Sequence, residues 1–168
     1  MLNRHSDITY VTGDATAPDV RPAVIAHVCN DIGAWGAGFV KALSVRYPAP
    51  EARYRELYRE RNTPEDGEFR LGAVQFVELE GALSGGLWVA NMVAQRRIRS
   101  SLHRQPIRYE ALAECLAKVA DFAAARQATV VGPRFGAGLA GGNWREIERI
   151  IRHTLTRAGV PVVIYDLP

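Results

Sequence analysis

An alternation of short apolar runs with longer helical segments constrains the fold of this sequence more than any other feature. The runs are rich in β-branched residues and are bounded by turn-forming residues, which is typical of strands. They predict six strands, at residues 8–11, 23–28, 73–79, 87–93, 129–133 and 162–166. Strands that alternate with helices favour an α/β fold.

The segments between these runs predict four helices, at residues 38–47, 48–61, 106–126 and 143–158. In the third, apolar residues recur at the spacing of one buried helix face. The last has the clearest boundaries, because Asn143 is a good N-cap, Glu146 follows three residues later, and Gly159 is a stop signal.

Residues 71–93 contain two predicted strands joined by a short glycine-containing link, which predicts a hairpin. On either side of this hairpin, a predicted strand is followed by a glycine loop and then by a helix. This mixture implies an α/β fold, a three-layer α/β/α sandwich with a mixed central sheet of about six strands. A chain of 168 residues is the size of one domain, and we expect residues 1–168 to form it.

The composition is that of an ordinary globular protein, with 48% apolar and 23% charged residues. No stretch approaches the ~20 apolar residues of a membrane span, and the segment MLNRHSD lacks the apolar part of an export signal. Cys29 and Cys115 lie in unrelated contexts and predict neither a disulfide nor a metal site. We therefore expect a cytoplasmic protein with no membrane partner, metal or cofactor.

Basic residues slightly outnumber acidic ones, 21 against 18, for a net charge of +3. Most arginines are scattered among acidic residues along predicted helices, as on solvated faces. Four lie close together, namely Arg96, Arg97, Arg99 and Arg104. A solvated surface is the simpler interpretation of this group, and a local patch that binds nucleic acid is the alternative.

Two of the predicted strands are each followed by a glycine cluster, which connects the strand to the next predicted helix. The first contains Gly33, Gly36 and Gly38, and the second lies in FGAGLAGG, residues 135–142. A loop short of Cβ atoms lets backbone N–H groups converge on an anion, and the next helix N-terminus adds partial positive charge. The two loops therefore predict a site that binds a diphosphate from both sides, although a single such cluster usually makes only a tight turn.

The second loop also matches the pattern G-x-G-x-x-G of dinucleotide-binding folds, at Gly136, Gly138 and Gly141. In that fingerprint the first glycine follows the strand at once, whereas here residues 133–135 intervene. The preceding predicted sheet also contains a hairpin rather than a mononucleotide-binding half. The surroundings of the loop therefore disfavour a nicotinamide oxidoreductase.

The order of several motifs resembles that of a macro domain, the ADP-ribose-binding module. The resemblance extends from about Ile8 to Leu167 and lies in ITYVTGDAT, AHVCND, GAWGAGFVKAL, LGAVQFVE, PIRYEAL, PRFGAGLAGGNWREIERII and VVIYD. It is closest to the branch that contains the terminal ADP-ribose protein glycohydrolase and the bacterial macrodomain antitoxins that act on ADP-ribosylated DNA. It implies the macro domain fold, with FGAGLAGG as a second phosphate loop.

The resemblance also implies which residues contact each part of ADP-ribose. Asp14 would accept a hydrogen bond from the adenine amino group, with the Ala15 backbone beside it. Asn30 would face the distal ribose, and Tyr165 and Asp166 would flank the adenine. The phosphate loops would comprise Gly36, Ala37, Gly38 and Phe39, and then Gly136, Ala137, Gly138, Leu139 and Ala140. The preceding Pro133, Arg134 and Phe135 would also contact the ligand.

Four side chains have a structural interpretation beside the functional one. Asp14 can cap a local turn, and Tyr165 can pack in the core instead of stacking on a base. Trp35 interrupts the first glycine loop, where it covers either the ligand or a neighbouring helix. His27 ends an apolar strand, which favours a satisfied, partly buried side chain over a catalytic one.

In the glycohydrolase branch a lysine and an acid carry the chemistry, and the matching positions here hold Gln95 and Ala140. A lysine adduct is therefore not expected. We expect a hydrolase that removes mono-ADP-ribose from modified acidic side chains, with a water oriented by Asn30 and Gln95 and with Asp31 as a conceivable base. The alternative is a non-catalytic reader. The expected partners are ADP-ribose and mono-ADP-ribosylated proteins, or ADP-ribosylated nucleic acid.

Overall fold

The computed structural model describes residues 7–61, 69–100, 102 and 105–168. Arg104, part of the predicted basic group, lies outside the described residues. The strands are β1 (Thr9–Thr12), β2 (Ala23–Asn30), β3 (Val74–Glu80), β4 (Leu87–Gln95), β5 (Thr129–Gly132) and β6 (Val162–Asp166). The α-helices are α1 (Phe39–Arg46), α2 (Ala49–Arg59), α3 (Tyr109–Arg126) and α4 (Trp144–Ile151).

Within the described residues, the six strands form one sheet in the order β1-β6-β5-β2-β4-β3. The pairs β1–β6, β6–β5, β5–β2 and β2–β4 are parallel, and β3 pairs antiparallel with β4. The hairpin and the mixed sheet predicted from the sequence are therefore confirmed.

Helices cover both faces of the sheet, because side chains of the central strand β2 alternate between two apolar clusters. On one side, Ile25 belongs to a cluster that includes Tyr54 of α2. On the other, Val24 belongs to a cluster with Leu116 of α3 and Ile147 of α4. The structure is thus the predicted three-layer α/β/α sandwich.

Two helix boundaries differ from the prediction. Residues 106–108 do not begin α3, because Ile107 forms a bridge with Gln95 and the Arg108 N–H donates to the carbonyl of Ala94. At α4, the Asn143 side chain caps the helix as predicted, accepting from two backbone N–H groups. The helix then continues as a π-helical turn over Arg152–Thr156 before Gly159.

The topology places the ends of five strands side by side. Because β1, β6, β5, β2 and β4 are mutually parallel, their carboxyl ends lie along one edge of the sheet, where open α/β sheets bind ligands. The loops that follow these strands contain the predicted site residues. None of the helices within the described residues is long and apolar enough to cross a bilayer.

Candidate functional site

A cavity of about 810 Å³ lies at the carboxyl edge of the sheet, a volume within the usual range for small-molecule sites. Most of the predicted site residues line it: Asp14, Ala15, Asn30, Trp35, Gly36, Ala37, Gly38, Phe39, Gln95, Pro133, Arg134, Phe135, Gly136, Gly138, Leu139, Ala140 and Tyr165. The parallel strands therefore bring together five chain segments that are far apart in sequence.

Three predicted site residues do not line the cavity. Asp31 accepts a hydrogen bond from the backbone N–H of Arg97, at 2.7 Å. Asp166 is held by Arg134, and Ala137 packs against the apolar cluster beneath the second glycine loop. The sequence predicted Ala137 and Asp166 as ligand contacts and Asp31 as a conceivable base, and none of these three residues is part of the cavity lining.

Asp14, which follows β1, caps a local turn with one carboxylate oxygen and leaves the other oxygen outside that turn. Its Oδ1 accepts from the backbone N–H of Thr16 at 2.9 Å and from the Thr16 hydroxyl at 2.7 Å. These hydrogen bonds hold the pKa of the Asp14 carboxyl below its ordinary value. Oδ2 lies 3.8 Å from Arg46, so this oxygen can still accept a hydrogen bond from a ligand.

Arg134 and Asp166 form a two-point ion pair at the same end of the cavity, with N···O distances of 2.8 and 3.0 Å. The Arg134 guanidinium also lies 5.1 Å from the ring centre of Tyr10 and 5.4 Å from that of Trp144. The pair lowers the pKa of Asp166 and fixes the cation. Tyr165 beside it is 9% exposed and belongs to the apolar core while also lining the cavity.

Asn30, at the end of β2, organises the first glycine loop. Its Oδ1 accepts from the N–H groups of Ile32 and Ala34 and from the Tyr54 hydroxyl, at 3.1, 3.0 and 2.8 Å. Its Nδ2 donates to the carbonyl of Ala34 at 2.6 Å. An amide nitrogen has two hydrogens, so one donor remains for the cavity. Asn30 therefore shapes the loop first and offers only a single N–H to a ligand.

Trp35 packs beneath the loop that contains it. Its indole N–H donates to the Ser44 hydroxyl at 2.7 Å, and its ring lies 5.5 Å from that of Tyr54. The side chain thus anchors the loop to α1 and α2 and also forms part of the cavity wall.

Different glycines of the two loops have different functions. Gly136 has a positive φ of 80°, and a Cβ on Gly142 would lie 2.4 Å from the carbonyl oxygen of Gly136, so both serve the turn. By contrast, a Cβ on Gly36 or on Gly138 would meet nothing within 4 Å. These two backbones face open space at the cavity, as an anion-binding loop requires. Next to them, α1 begins at the glycine N-cap Gly38 without a side-chain cap.

The loop after β4 adds residues that sequence reasoning did not assign to the site. Arg97 has a positive φ of 58°, its N–H donates to Asp31, and its carbonyl accepts from Gln95 Nε2 at 2.8 Å. Beyond this turn, Ile98 and Arg99 line the cavity. The basic group in the sequence, placed directly after a strand end, is the signal that identifies this loop.

His27 lies at the cavity wall but is only 2% exposed. Its Nε2 is 2.5 Å from Asn91 Oδ1, while Nδ1 has no hydrogen-bond partner within the described part of the chain. Asn91 Nδ2 donates to Pro50 and Gln75, so its oxygen faces His27 and the imidazole is neutral with the proton on Nε2. Burial lowers the pKa of His27 to about 4, which excludes a charged imidazole at neutral pH.

The cavity wall contains neither a metal-binding cluster among the described residues nor a lysine. Within residues 7–61, 69–100, 102 and 105–168, no group of three or more metal-ligating side chains could hold an ion. No lysine lines the cavity, since Lys41 is exposed on α1 and Lys118 on α3 donates to the Gly72 carbonyl. The polar groups of the site are therefore backbone amides, one Asp14 carboxylate oxygen that also lies near Arg46, amide side chains and arginines.

Known proteins share this arrangement of strands and loops. No protein-family profile matches the sequence. The solved structure of a macrodomain protein from Streptomyces coelicolor superposes with a TM-score of 0.82 at 50% identity, over 95% of this chain and 99% of that one. This chain is a macrodomain. The resemblance found in the ordered motifs is thereby confirmed.

Other relatives of this macrodomain come from several kinds of organism. The mouse chromodomain-helicase-DNA-binding protein 1-like is 36% identical over 169 residues, which cover 97% of this chain but only 18% of that longer protein. An ADP-ribose 1''-phosphate phosphatase of Saccharomyces cerevisiae is 40% identical over 52 residues, 31% of this chain and 29% of the phosphatase. Thermosipho africanus DarTG, solved with ADP-ribose, shares the fold at a TM-score of 0.74 and 16% identity, over 96% of this chain and 42% of that one.

Proposed function

We propose that this macrodomain binds ADP-ribose in the cavity at the carboxyl edge of the sheet. The observation that carries the proposal is the order of the loops along that edge. Asp14 follows the outer strand β1, the open glycine backbones follow β5 and β2, and Asn30 and Gln95 end β2 and β4. This order matches an adenine, a diphosphate and a distal ribose laid across the strands. The ligand of DarTG and the substrate name of the yeast phosphatase are consistent with it.

We further propose that the protein is a hydrolase that removes mono-ADP-ribose from modified acidic side chains. The carboxylate of such an ester is a good leaving group, so positioning of a water can supply much of the rate enhancement. The remaining N–H of Asn30 and the amide of Gln95, both at the distal-ribose end, would orient that water. Asp31 is not assigned the role of base, because it does not line the cavity and its Oδ1 accepts from the Arg97 N–H.

A reader that binds mono-ADP-ribosylated proteins without hydrolysing them is the second candidate. One observation favours it: Asn30 and Gln95 form hydrogen bonds within their own loops, and Asp31 accepts from the Arg97 N–H of a neighbouring loop. Two of these side chains are amides, which do not act as proton-transfer groups, and the third is a carboxylate that does not line the cavity. ADP-ribosylated nucleic acid is an alternative partner on account of the arginines near the cavity.

Two measurements test these proposals in sequence. Calorimetry should give binding of ADP-ribose and much weaker binding of NAD, whose nicotinamide has little space beside the loop of residues 30–38. Equal or tighter binding of NAD would contradict the ligand assignment. Incubation with glutamate-linked mono-ADP-ribosylated protein should then release free ADP-ribose. Binding without release from any ester-linked substrate identifies a reader.

A further inference from the structure

One face of α4 and of the π-helical turn that follows it carries a line of exposed arginines. Arg145, Arg149 and Arg157 lie on this face, and the helix buries Ile147 and Ile151 on its other side. From Arg145 to Arg157 the line extends about 18 Å, at a rise of 1.5 Å per residue. The sequence alternates arginines with acidic residues along this helix, and the structure collects the arginines on one side.

The π-helical turn keeps the last arginine in this line. In an α-helix, residues eight positions apart are rotated by about 80° around the axis, which would carry Arg157 away from Arg149. The turn Arg152–Thr156 is π-helical instead, and the Arg157 N–H donates to the carbonyl of Arg152 at 2.9 Å. A turn closed by such a bond contains more residues than an α-turn, so Arg157 is rotated back towards Arg149. Single π-turns within helices are rare and frequently lie at functional sites.

The charges of these arginines are largely uncompensated. Among the residues that the structure describes, neither Arg145 nor Arg157 forms a salt bridge with an acidic side chain. Arg149 lies 3.5 Å from Glu146, but its side chain is 76% exposed, and a surface pair of this kind contributes little. Three positive charges therefore remain available to a ligand along the line.

The line borders a second cavity, of about 530 Å³, on the face of the sheet that α3 and α4 cover. Four basic side chains line it, namely Arg149, Arg152, His153 and Arg157. Arg152 is paired with Asp7 at 3.0 Å. No acidic residue of the described part of the chain contributes to this lining. None of these basic residues lines the cavity at the carboxyl edge, so the two cavities are separate binding surfaces.

The surface around this second cavity favours a polyanion over a protein partner. The buried core of a protein–protein interface is mainly apolar, with aromatic or other large side chains as anchors. Within the described ranges, none of the exposed large apolar side chains lies on α3, α4 or the π-helical turn. Interfaces with nucleic acid are instead polar and strongly basic, and arginines clustered along one helix are their usual electrostatic signature.

We propose that this face of α4 binds the phosphodiester backbone of a nucleic acid. A guanidinium group can donate two parallel hydrogen bonds to the oxygens of a phosphate. Duplex DNA carries one negative charge per about 1.7 Å of its axis, so a line of about 18 Å can meet several phosphates at once. Contacts to the backbone do not read the bases, so the binding is independent of sequence. It is also independent of ADP-ribose, because the arginines of this face lie outside the proposed ADP-ribose site.

The test is fluorescence anisotropy of the full chain with a labelled DNA duplex of about 20 base pairs, or two helical turns, at several salt concentrations. The wild type should bind at low salt. A plot of the logarithm of its affinity against that of the salt concentration should have a slope of about −2 to −3, as for about three phosphate contacts. A duplex of unrelated sequence should bind equally, and an RNA duplex of the same length distinguishes the two sources of the backbone.

The double variant Arg149→Gln/Arg157→Gln should bind the duplex about tenfold more weakly at low salt, with a salt slope smaller by about 2. The matched control is Arg53→Gln/Arg59→Gln, which removes two exposed arginines from α2 on the opposite face of the sheet. In this pair too, one arginine lies near an acidic side chain, with Arg53 3.9 Å from Glu56. The control should bind the duplex within about twofold of the wild type. Both double variants should keep the wild-type melting temperature.

A third variant should bind more tightly, which a folding defect would not produce. Glu146→Gln removes the carboxylate beside Arg149 and should raise the affinity for the duplex by about two- to threefold. Absence of DNA binding by the wild type at low salt would overturn the proposal. An equal loss in the two double variants would overturn it as well, because net charge alone would then explain the binding. Displacement of the duplex by polyglutamate as readily as by unlabelled DNA of equal charge would assign the face to acidic proteins instead.

Discussion

The buried imidazole of His27 makes the stability of this macrodomain depend on pH in a defined window. Its pKa is about 4 in the folded protein, against an ordinary value of 6.5 that the unfolded chain would show. Between these values the unfolded chain binds a proton that the folded protein does not, so the free energy of unfolding falls as the pH falls from 6.5 towards 4.

The magnitude follows from the two pKa values. At 1.36 kcal/mol for each pKa unit, the loss amounts to about 3 kcal/mol by pH 4, a large part of the 5–15 kcal/mol that stabilises a typical domain. The side chains that surround the ring are Trp35, Phe39, Cys29 and Asn91, all uncharged at these pH values. Nothing among them offsets a positive charge on the imidazole.

The assay is denaturant unfolding of the nucleotide-free protein at several pH values between 7 and 4, with His27→Gln as the comparison. Carboxyl groups with lowered pKa, such as Asp14 and Asp166, lose their stabilising effect mainly below this window and are common to both proteins. The wild type should lose about 3 kcal/mol more than the variant across the window. Parallel pH profiles would refute the reasoning, because they would mean that the imidazole is protonated in the folded protein or reaches water.

Three further predictions concern the proposed ligand. Asp14→Asn keeps an oxygen for the Thr16 turn but replaces the free acceptor by a donor, so ADP-ribose should bind about 1–3 kcal/mol more weakly by calorimetry. The same substitution should reduce the affinity for the analogue with hypoxanthine in place of adenine by a smaller factor than the affinity for ADP-ribose. Unchanged ADP-ribose affinity would refute the adenine assignment. Gly138→Ala should fold normally, because its Cβ meets nothing within 4 Å, whereas Gly138→Glu should keep the melting temperature but abolish binding by placing bulk and negative charge beside the diphosphate. Normal binding by the glutamate variant would show that the loop has a structural role and does not contact the ligand. If ester-linked substrate is hydrolysed, borohydride should trap no lysine adduct, since no lysine lines the cavity, and mass spectrometry of the treated protein checks this.

The sequence predicted those parts of the molecule that depend on local patterns. Strand runs, the hairpin over residues 71–93 and the cap at Asn143 are local signals, and the structure contains all of them. The two glycine clusters predicted which loops meet, because parallel strands bring their carboxyl ends to one edge.

Side-chain partners across the sheet were not predictable in the same way. The pairing of Asp31 with the Arg97 N–H joins residues 66 positions apart and depends on the register of β2 against β4. The ion pair of Arg134 with Asp166 depends likewise on the adjacency of β5 and β6. A single sequence has no signal for these registers, so it predicted Asp31 as a conceivable base and Asp166 as a ligand contact without predicting their bonds to Arg97 and Arg134.

The position of β1 makes the proposed adenine end of the site more prone to local unfolding than the rest. This strand of four exposed residues is an edge of the sheet formed by the described residues and pairs with β6 alone, yet it leads directly into Asp14. Edge segments with little buried surface are among the first to open by local unfolding, and their amide hydrogens exchange early. A ligand clasped between Asp14 and the central loops would have to be released before β1 could separate. A bound ligand would therefore oppose local unfolding of this edge of the sheet. Slower amide hydrogen exchange in β1 would report it.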